Sequence, residues 1–431
     1  MEDKKFTFDE FSTELQDFKI RKVSKFDRMW KVGYGGSVDQ KLLLHDGVIY
    51  FGCCDHHVYA ISAKDAGLAW KFEARAPIGE SSPVLYKGTI YIGSYDYNMY
   101  AIDSRSGKLK WKFKTRGEIG SSVCASNGIV YFGSRDRIVY ALRADDGSLV
   151  WKFETNDEIM STPAVHGGKV FIGSFDHNLY CLDAMTGKPE WKFATQQEIY
   201  NADSFLIHGG IIYFGSFDNY LRAVRIEDRM ELWRFRTGIY GIAASPVLHK
   251  NRLYQQTRDG ILYALTMDGK PLWKFVTREV IALPVIHQDK IYVGSADHNM
   301  YCLNIEDGRV FWKFQAQGGV WWCPVIWKDV VYFSSWDCHV YAADKDTGEE
   351  VWRFNTGSGP SSIPPLSEGF EVELKIPKRE IRLEEERKHY ELGLSEGDEN
   401  ASAYKSRITY QVSTQYVEKG KYQVDSDEEG F

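Results

Sequence analysis

A short run in the first third of the chain concentrates the residue types that bind metals. Cys53 and Cys54 are adjacent, and His56 and His57 follow after Asp55. Thiolate and imidazole groups are the usual zinc ligands, so this run predicts a zinc site if it is taken alone. However, matching histidines follow the same recurring aspartate in separate repeat units, and we therefore expect no metal site. These other histidines are His177, His298 and His339.

A second set of candidates stands where the repeat departs from its own pattern. Just before the first strand of each unit most residues are small, but Lys41 and Asp203 interrupt this pattern in units one and five, and Trp321 and Trp322 in unit eight. Aromatic side chains with a few polar groups are typical of concave sites for ligands or peptides. The alternative is that these residues fill a wide channel. The predicted aromatic rim is completed by Tyr200, Tyr240 and Met160.

Carboxylates recur in the loops that precede these positions. They would give one face of the protein a negative fringe, which favours basic peptides or a cation. The alternative is that they are ordinary solvated surface residues. The carboxylates are Glu118, Glu158, Glu198 and Glu279.

The elements that must position these residues are short repeated units with a period of about 40 residues, typical of propellers and solenoids. A Trp-basic-Phe signature, with valine in place of the phenylalanine in its first copy, alternates with a Gly-Ser-x-Asp signature. The tryptophans are Trp30, Trp70, Trp111, Trp151, Trp191, Trp233, Trp273, Trp312 and Trp352. The aspartates are Asp55, Asp96, Asp136, Asp176, Asp218, Asp259, Asp297 and Asp337.

One unit predicts four short strands. In residues 78–115, alternating apolar and polar residues are interrupted by turn signals at Lys87-Gly88, Asp96 and Ser106-Gly107. Four antiparallel strands per unit indicate a propeller blade, and no helical period occurs before about residue 378. We expect each tryptophan to wedge between neighbouring blades and each repeated aspartate to build a turn, because a group present eight times on one ring is not a catalytic residue.

The spacing from Ala101-x-Asp103 through Gly107-Lys108 to Trp111 resembles the tryptophan-docking motif of the quinoprotein-like (PQQ-like) β-propellers. Related versions end at Trp191 and Trp352, and the resemblance covers about residues 28–360. It implies an all-β fold of eight four-stranded blades around a channel. The family includes quinoprotein dehydrogenases and non-catalytic scaffolds such as the outer-membrane assembly lipoprotein, so the fold does not choose between them.

The resemblance also implies what a quinone enzyme of this family would need, namely a calcium site, a catalytic aspartate and a vicinal disulfide beside the quinone. Cys53 and Cys54 are adjacent, but they occupy repeat positions of the first blade, away from long loops. The loops are minimal throughout. We therefore expect neither PQQ nor calcium, and no enzyme activity.

Nine tryptophan signatures against eight aspartate signatures raise a question about ring closure. Either every blade has its own fourth strand and Trp30 is extra, or the strand at Met29–Gly33 enters the last blade and closes the ring. Closure removes exposed sheet edges, and we favour an N-terminal clasp.

Composition narrows the function further. The 431 residues carry a formal net charge of −7 with no broad basic stripe, which argues against nucleic acid as a partner. The N-terminus lacks an apolar signal region, no run is long enough to span a membrane, and the seven cysteines show no disulfide pattern. We expect a cytoplasmic, monomeric protein.

The sequence thus predicts an N-terminal extension over residues 1–27, an eight-bladed propeller over 28–360 and a charged tail over 361–431. The tail is acidic at its end and could bind a partner or remain a solvated appendage. We predict a non-catalytic scaffold for a protein or peptide partner. The alternative is a propeller that binds a small ligand or quinone, with or without redox activity.

Overall fold

The computed structural model describes residues 36–277 and 279–357, and these form 32 β-strands and no helix. The N-terminal extension, Trp30, the Met29–Gly33 clasp and the charged tail lie outside the described residues, as do both predicted boundaries of the propeller. Within the described ranges no helix is long and apolar enough to cross a membrane.

Every blade consists of four consecutive strands in the order in which they follow along the chain. Blades one to four are β1 (Leu43–His45), β2 (Val48–Gly52), β3 (His57–Ser62) and β4 (Leu68–Glu73); β5 (Val84–Tyr86), β6 (Thr89–Gly93), β7 (Asn98–Asp103) and β8 (Leu109–Lys114); β9 (Cys124–Ser126), β10 (Ile129–Gly133), β11 (Ile138–Arg143) and β12 (Leu149–Glu154); and β13 (Ala164–His166), β14 (Lys169–Gly173), β15 (Asn178–Asp183) and β16 (Pro189–Ala194).

Blades five to eight repeat this pattern. They are β17 (Leu206–His208), β18 (Ile211–Gly215), β19 (Tyr220–Arg225) and β20 (Glu231–Arg236); β21 (Val247–His249), β22 (Arg252–Gln256), β23 (Ile261–Thr266) and β24 (Pro271–Val276); β25 (Val285–His287), β26 (Lys290–Gly294), β27 (Asn299–Asn304) and β28 (Val310–Gln315); and β29 (Val325–Trp327), β30 (Val330–Ser335), β31 (His339–Asp344) and β32 (Glu350–Asn355). The predicted eight-bladed all-β propeller is confirmed.

The core is divided among the seams between blades. Eight hydrophobic clusters of buried residues each join two neighbouring blades, and one of them joins blade eight to blade one through Val340, Tyr332, Phe51 and Ile61. A single blade therefore cannot bury its apolar surface alone, which is the reason the sequence repeats.

The tryptophan of one blade and the docking-motif glycine of the next meet across every seam at which that glycine is present. The Trp151 indole N–H donates to the Ala184 carbonyl at 2.9 Å, and Gly187 of the same loop lies over the ring. Gly187 has a φ of +70°, and a Cβ there would stand 2.6 Å from the indole, so only glycine fits. Trp151 is 7% exposed, whereas the other seven tryptophans of the series that the structure describes are half-buried.

The repeated aspartates hold two pieces of chain at once. In blade two, Asp96 accepts the Asn98 N–H of its own turn at 2.9 Å and the Arg75 N–H of the connection from blade one at 3.0 Å. The Tyr100 hydroxyl donates to the same carboxylate at 2.5 Å. The aspartate therefore fixes each inter-blade connection as well as the turn that the sequence predicts.

The ring closes by the same contacts that join the other blades. The Tyr332 hydroxyl and the Trp352 indole donate to the Ala63 carbonyl at 2.9 and 3.2 Å, and the Thr356 hydroxyl donates to the Gly36 carbonyl. Blade eight already contains its own fourth strand, β32. Among residues 36–277 and 279–357, no strand crosses from one end of the chain into the last blade.

Candidate functional site

One face of the propeller gathers the turns that follow the second strand of every blade. Each turn is held by the preceding inter-blade loop; for example, the Arg135 and Phe175 N–H groups donate to the Glu118 and Glu158 carbonyls at 2.9 and 3.0 Å. The residue just before the repeated aspartate has the same backbone role in every blade, but its side chain varies. We call these residues the mouth ring: Cys54, Tyr95, Arg135, Phe175, Phe217, Arg258, Ala296 and Trp336.

Part of the mouth ring forms an arc of stacked aromatic and cationic groups. The Arg135 guanidinium lies over the Tyr95 ring at 5.7 Å, and the Arg258 guanidinium lies over the Phe217 ring at 4.7 Å. Phe175 contacts Phe217 with ring centroids 6.4 Å apart. Cation–π pairs of this kind keep both the ring and the guanidinium in a fixed orientation.

Tyr200, Met160 and Trp321 come from the loops before the first strands and join the mouth ring. Tyr200 packs against Phe175 and Phe217 at 6.4 and 6.3 Å, and Trp321 stacks on Trp336 at 5.0 Å with 20° between the rings.

The Met160 sulfur lies 3.3 Å from Arg135 Nε. The structure thus places three of the predicted rim residues, Tyr200, Met160 and Trp321, against the mouth ring.

The charges at the mouth are mixed. Arg135 forms ion pairs with Glu118 at 3.0 Å and Glu158 at 3.9 Å. Burial lowers the pKa of Arg258 to about 10, so this guanidinium is still protonated at neutral pH. Burial raises the pKa of Tyr95 and of Tyr200, with a further contribution from Glu80, so both phenols are neutral. The mouth therefore combines two arginine cations with neutral aromatic rings, and of these Arg258 and Tyr200 are largely buried, at 8% and 2% exposed.

Lys41 and Asp203 meet across the centre of the ring, below the mouth. The Lys41 ammonium lies 3.5 Å from the Asp203 carboxylate although the two residues belong to blades one and five. The Cys323 thiol of blade eight donates to the same carboxylate at 3.6 Å. Asp203 raises the pKa of Lys41, which therefore stays protonated. The sequence predicts these residues as departures on opposite sides of the ring but not their contact.

The blade-five loop explains this contact. Six residues separate Ile199 from the start of β17 at Leu206, whereas four separate Ile159 from the start of β13 at Ala164. The two extra residues place Asp203 inside the channel. Phe205, and not Ser204, therefore directly precedes the first strand of blade five, as Pro83 does in blade two.

The predicted rim residues differ in exposure. Trp322 is 7% exposed, and Tyr200 and Met160 are 2% and 1% exposed, so these three side chains offer little surface to a ligand. Tyr240 is 50% exposed, and among the described residues no ring contact joins it to Tyr200. Trp321 is therefore the better-placed anchor of the two adjacent tryptophans.

The sequence analysis missed five residues of the mouth. Their only signal is that the variable position of the Gly-Ser-x-Asp signature carries a large side chain in most blades. Because the position lies in a turn, the repeat pattern alone indicates only a turn residue there. The missed residues are Tyr95, Arg135, Phe175, Phe217 and Arg258.

The cysteine pair does not match a quinone platform. Both thiols are free, and they point to different partners: Cys53 donates to the Gly36 carbonyl at 3.2 Å and Cys54 to the Asp39 carboxylate at 3.5 Å. Cys53 lies in the core between blades eight and one, and burial raises the pKa of both thiols. The described residues also contain no group of three or more His, Cys, Asp and Glu placed to hold a metal ion. The expectation of no PQQ and no calcium stays a prediction.

The closed ring of four-stranded blades and its tryptophan-glycine seams define an eight-bladed β-propeller of the PQQ-like class. The PQQ_2 family, described as outer membrane protein assembly factor BamB, matches residues 20–134, 135–279 and 258–369. The chain belongs to this family.

Solved structures with the same fold include both kinds of relative. BamB from Moraxella catarrhalis is 18% identical with a TM-score of 0.60, over 73% of this chain and 95% of that one. Quinohemoprotein alcohol dehydrogenase ADHIIG from Pseudomonas putida HK5 is 14% identical with a TM-score of 0.58, over 72% of each chain.

The computationally designed Ika8 protein is 14% identical with a TM-score of 0.64, over 72% of this chain and 96% of that one. No curated protein matches the chain by sequence. At these identities the structural likeness shows the fold and leaves the function to the residues of the site.

Proposed function

We propose that the protein is a non-catalytic interaction scaffold whose channel mouth binds an extended peptide. The observation that carries the proposal is the composition of the mouth ring. The backbone role of this position is the same in every blade, yet six of the eight side chains are aromatic or arginine. Packing of the repeat does not require them, and aromatic residues and arginine are the side chains that dominate binding energy at protein interfaces.

The charge of the surrounding loops supports a basic segment as the partner. Glu80, Glu118, Glu158 and Glu198 surround a mouth with two arginines, and Glu118 and Glu158 both lie beside Arg135. This excess of carboxylates would attract lysine or arginine side chains, while the aromatic arc would hold apolar ones. We infer a peptide that combines basic and aromatic residues.

The compartment and the assembly are part of the same proposal. All seven cysteines are free thiols, which supports a reducing, cytoplasmic environment. The ring closes within one chain, so a monomer can present the complete mouth.

The test is a selection of linear random peptides against the full chain, followed by titration of the selected peptides with mouth variants. We expect the double variant Trp321→Ser, Trp336→Ser to lose about 2 kcal/mol or more of binding, roughly thirtyfold in affinity. The matched control is Tyr240→Ser, because Tyr240 is exposed but lies outside the stacked arc.

Equal affinity for wild type and the double variant, with folding verified by circular dichroism, would show that the mouth is not the binding site. The charged segment after Gly369 would then become the next candidate, to be tested by deletion of that segment.

A small planar ligand, including a quinone, is the second candidate, and one observation favours it. Arg258 and Phe217 combine a cation with an aromatic face in the mouth ring, to which the Trp321 and Trp336 pair also belongs. Titration with PQQ and calcium, read by tryptophan fluorescence, tests binding. A dye-linked assay with alcohols and sugars tests redox activity, for which we expect no turnover; PQQ-dependent turnover that is lost in Cys53→Ser, Cys54→Ser would reverse the scaffold proposal.

A further inference from the structure

Just before the first strands, neighbouring blades are hydrogen-bonded to one another around the central channel. The Lys41 N–H donates to the Ser82 hydroxyl at 3.2 Å, and the Ser82 N–H donates to the Ser122 hydroxyl at 2.9 Å. On the other side of the ring, the Thr162 hydroxyl donates to the Ala202 carbonyl at 2.6 Å. Beyond this level the channel is lined by the free edges of the first strands, each three residues long.

Free strand edges are templates for pairing with another chain. An extended peptide that passed through the channel could therefore pair with the first strands, as peptides do when they add to an exposed sheet edge. Whether a partner reaches these edges depends on what lies across the channel at the level of these hydrogen bonds.

Lys41 and Asp203 occupy that level from opposite blades. Their side chains meet at 3.5 Å, across the ring from blade one to blade five. Asp203 is 14% exposed and the Lys41 side chain 42% exposed, so the pair borders solvent on one side and protein on the other. Cys323 is 1% exposed, and its thiol donates to the same Asp203 carboxylate.

We propose that the Lys41–Asp203 ion pair is a floor that separates the mouth from the rest of the channel, so that the mouth is a blind pocket. This inference rests on the proposed function, in which the mouth binds a peptide. A blind pocket accepts the end, the side chains or a bend of a peptide and excludes a threaded strand. Lys41 and Asp203 thereby determine the depth of the site and the kind of segment that fits it.

The reactivity of the Cys323 thiol shows whether the floor is open, and the measurement needs no bound peptide. The experiment measures the rate at which N-ethylmaleimide, a small neutral reagent, and a bulky neutral maleimide modify Cys323 in the full chain, resolved by peptide mass spectrometry. The variants are Lys41→Met and Asp203→Asn. Lys290→Met is the matched control, because it breaks the 2.6 Å surface pair with Asp346 far from the channel.

The two variants separate an open floor from a change in thiol chemistry. The thiolate is the reactive form, and Asp203 disfavours it whereas Lys41 favours it. A purely chemical effect would therefore speed the reaction in Asp203→Asn and slow it in Lys41→Met. Opening of the floor speeds the reaction in both.

We expect the maleimides to modify Cys323 at least about tenfold faster in both variants than in the wild type. This factor equals the change in thiolate fraction that one pKa unit would give. The gain should be larger for the bulky reagent. Cys181 and Cys302, which are buried in blade cores, should react at the wild-type rate, which shows that the blades stay folded. A slower or unchanged rate in Lys41→Met overturns the floor, as does equal acceleration at Cys181 and Cys302. Because no peptide is present, this result is independent of the test of the proposed function.

Discussion

The seams between blades and the mouth ring are built on the same repeated backbone but follow different rules. At the seams, the same pair of residue types recurs: an indole of one blade lies under a glycine of the next, as Trp111 lies under Gly147 and Trp312 under Gly348. In the mouth ring, one backbone position carries tyrosine, arginine, phenylalanine, tryptophan, cysteine and alanine. Repetition therefore identifies residues that hold the ring together, and variation at a fixed position identifies residues available for binding.

Trp151→Ala is the strongest test of this difference. Removal of a buried indole leaves a cavity and takes one of two donors from the Ala184 carbonyl, which keeps the Tyr131 hydroxyl, so we expect a loss of about 3–5 kcal/mol of stability and a clearly lower melting temperature. Trp336→Ala, in the mouth ring, should cost less than about 1 kcal/mol because the ring is partly exposed. Differential scanning calorimetry of the two variants compares the regions directly.

Equal losses for Trp151→Ala and Trp336→Ala would remove the distinction between a structural seam and a functional mouth. An unchanged melting temperature for Trp151→Ala would contradict the packing of the seam itself.

Blade five offers a test within the structural region, because Arg222 stands where most blades have a tyrosine that donates to the repeated aspartate. Arg222 and Asp218 form a buried ion pair at 2.5 Å, with side chains 3% and 2% exposed. Arg222→Ala leaves a buried carboxylate without its cation, and we expect a loss of about 3 kcal/mol or more. Arg222→Tyr restores the common pattern and should cost less than about 1.5 kcal/mol.

The pH dependence of this pair has a definite sign. Burial raises the pKa of Asp218, but hydrogen bonds from Arg222 and Ser216 outweigh burial, and the pKa lies below its ordinary value. The pair therefore stabilises the protein fully above the unfolded pKa of about 3.9, and this contribution is lost as the pH falls. Urea unfolding should show the gap between wild type and Arg222→Ala narrowing in acid; a constant gap would assign the loss to packing alone.

The smallest expected effect concerns His339 in blade eight, which holds the position of Asn98, Asn178 and Asn299 in other blades. A hydrogen bond to Asp337 raises the pKa of His339 above 6.5. Its stabilising contribution is complete below pH 6.5 and is lost as the pH rises through the raised pKa, by about 1 kcal/mol or less. His339→Asn keeps the turn and should remove this slope, which melting temperatures between pH 5 and 9 would detect. Identical slopes would show that another group titrates.

The blades could be predicted from the sequence because each strand and turn is specified locally and eight times over. The docking glycine, the turn aspartate and the four-strand unit all depend on residues within one period. The seam contact between Trp151 and Gly187 agrees with the predicted wedge, although the glycine partner was visible only in the structure.

The site was less predictable because it depends on how distant units meet. The contact of Lys41 with Asp203 requires the longer blade-five loop, which contains Asp203, and also closure of the ring, which no local residue pattern encodes. Tyr240 shows the opposite error: it occupies a loop that matches the loop of Tyr200, yet its side chain points to solvent. Matching positions in a repeat share a backbone, but side-chain direction depends on the neighbouring blade.

Within residues 36–277 and 279–357 the ring closes with no strand borrowed by the last blade, and this has a consequence for chain order. The carbonyl of Gly36 accepts from Thr356, and a Cβ at Gly36 would stand 2.9 Å from the Gly357 nitrogen, so the two ends of the propeller touch. Every blade is contiguous, and each of the eight hydrophobic clusters joins two neighbouring blades. A circular permutant that joined these ends and opened the loop at Asn156–Asp157 would keep all 32 strands and all eight seams. The architecture therefore does not depend on which blade comes first in the chain, and the natural order is one of eight equivalent circular orders of the blades.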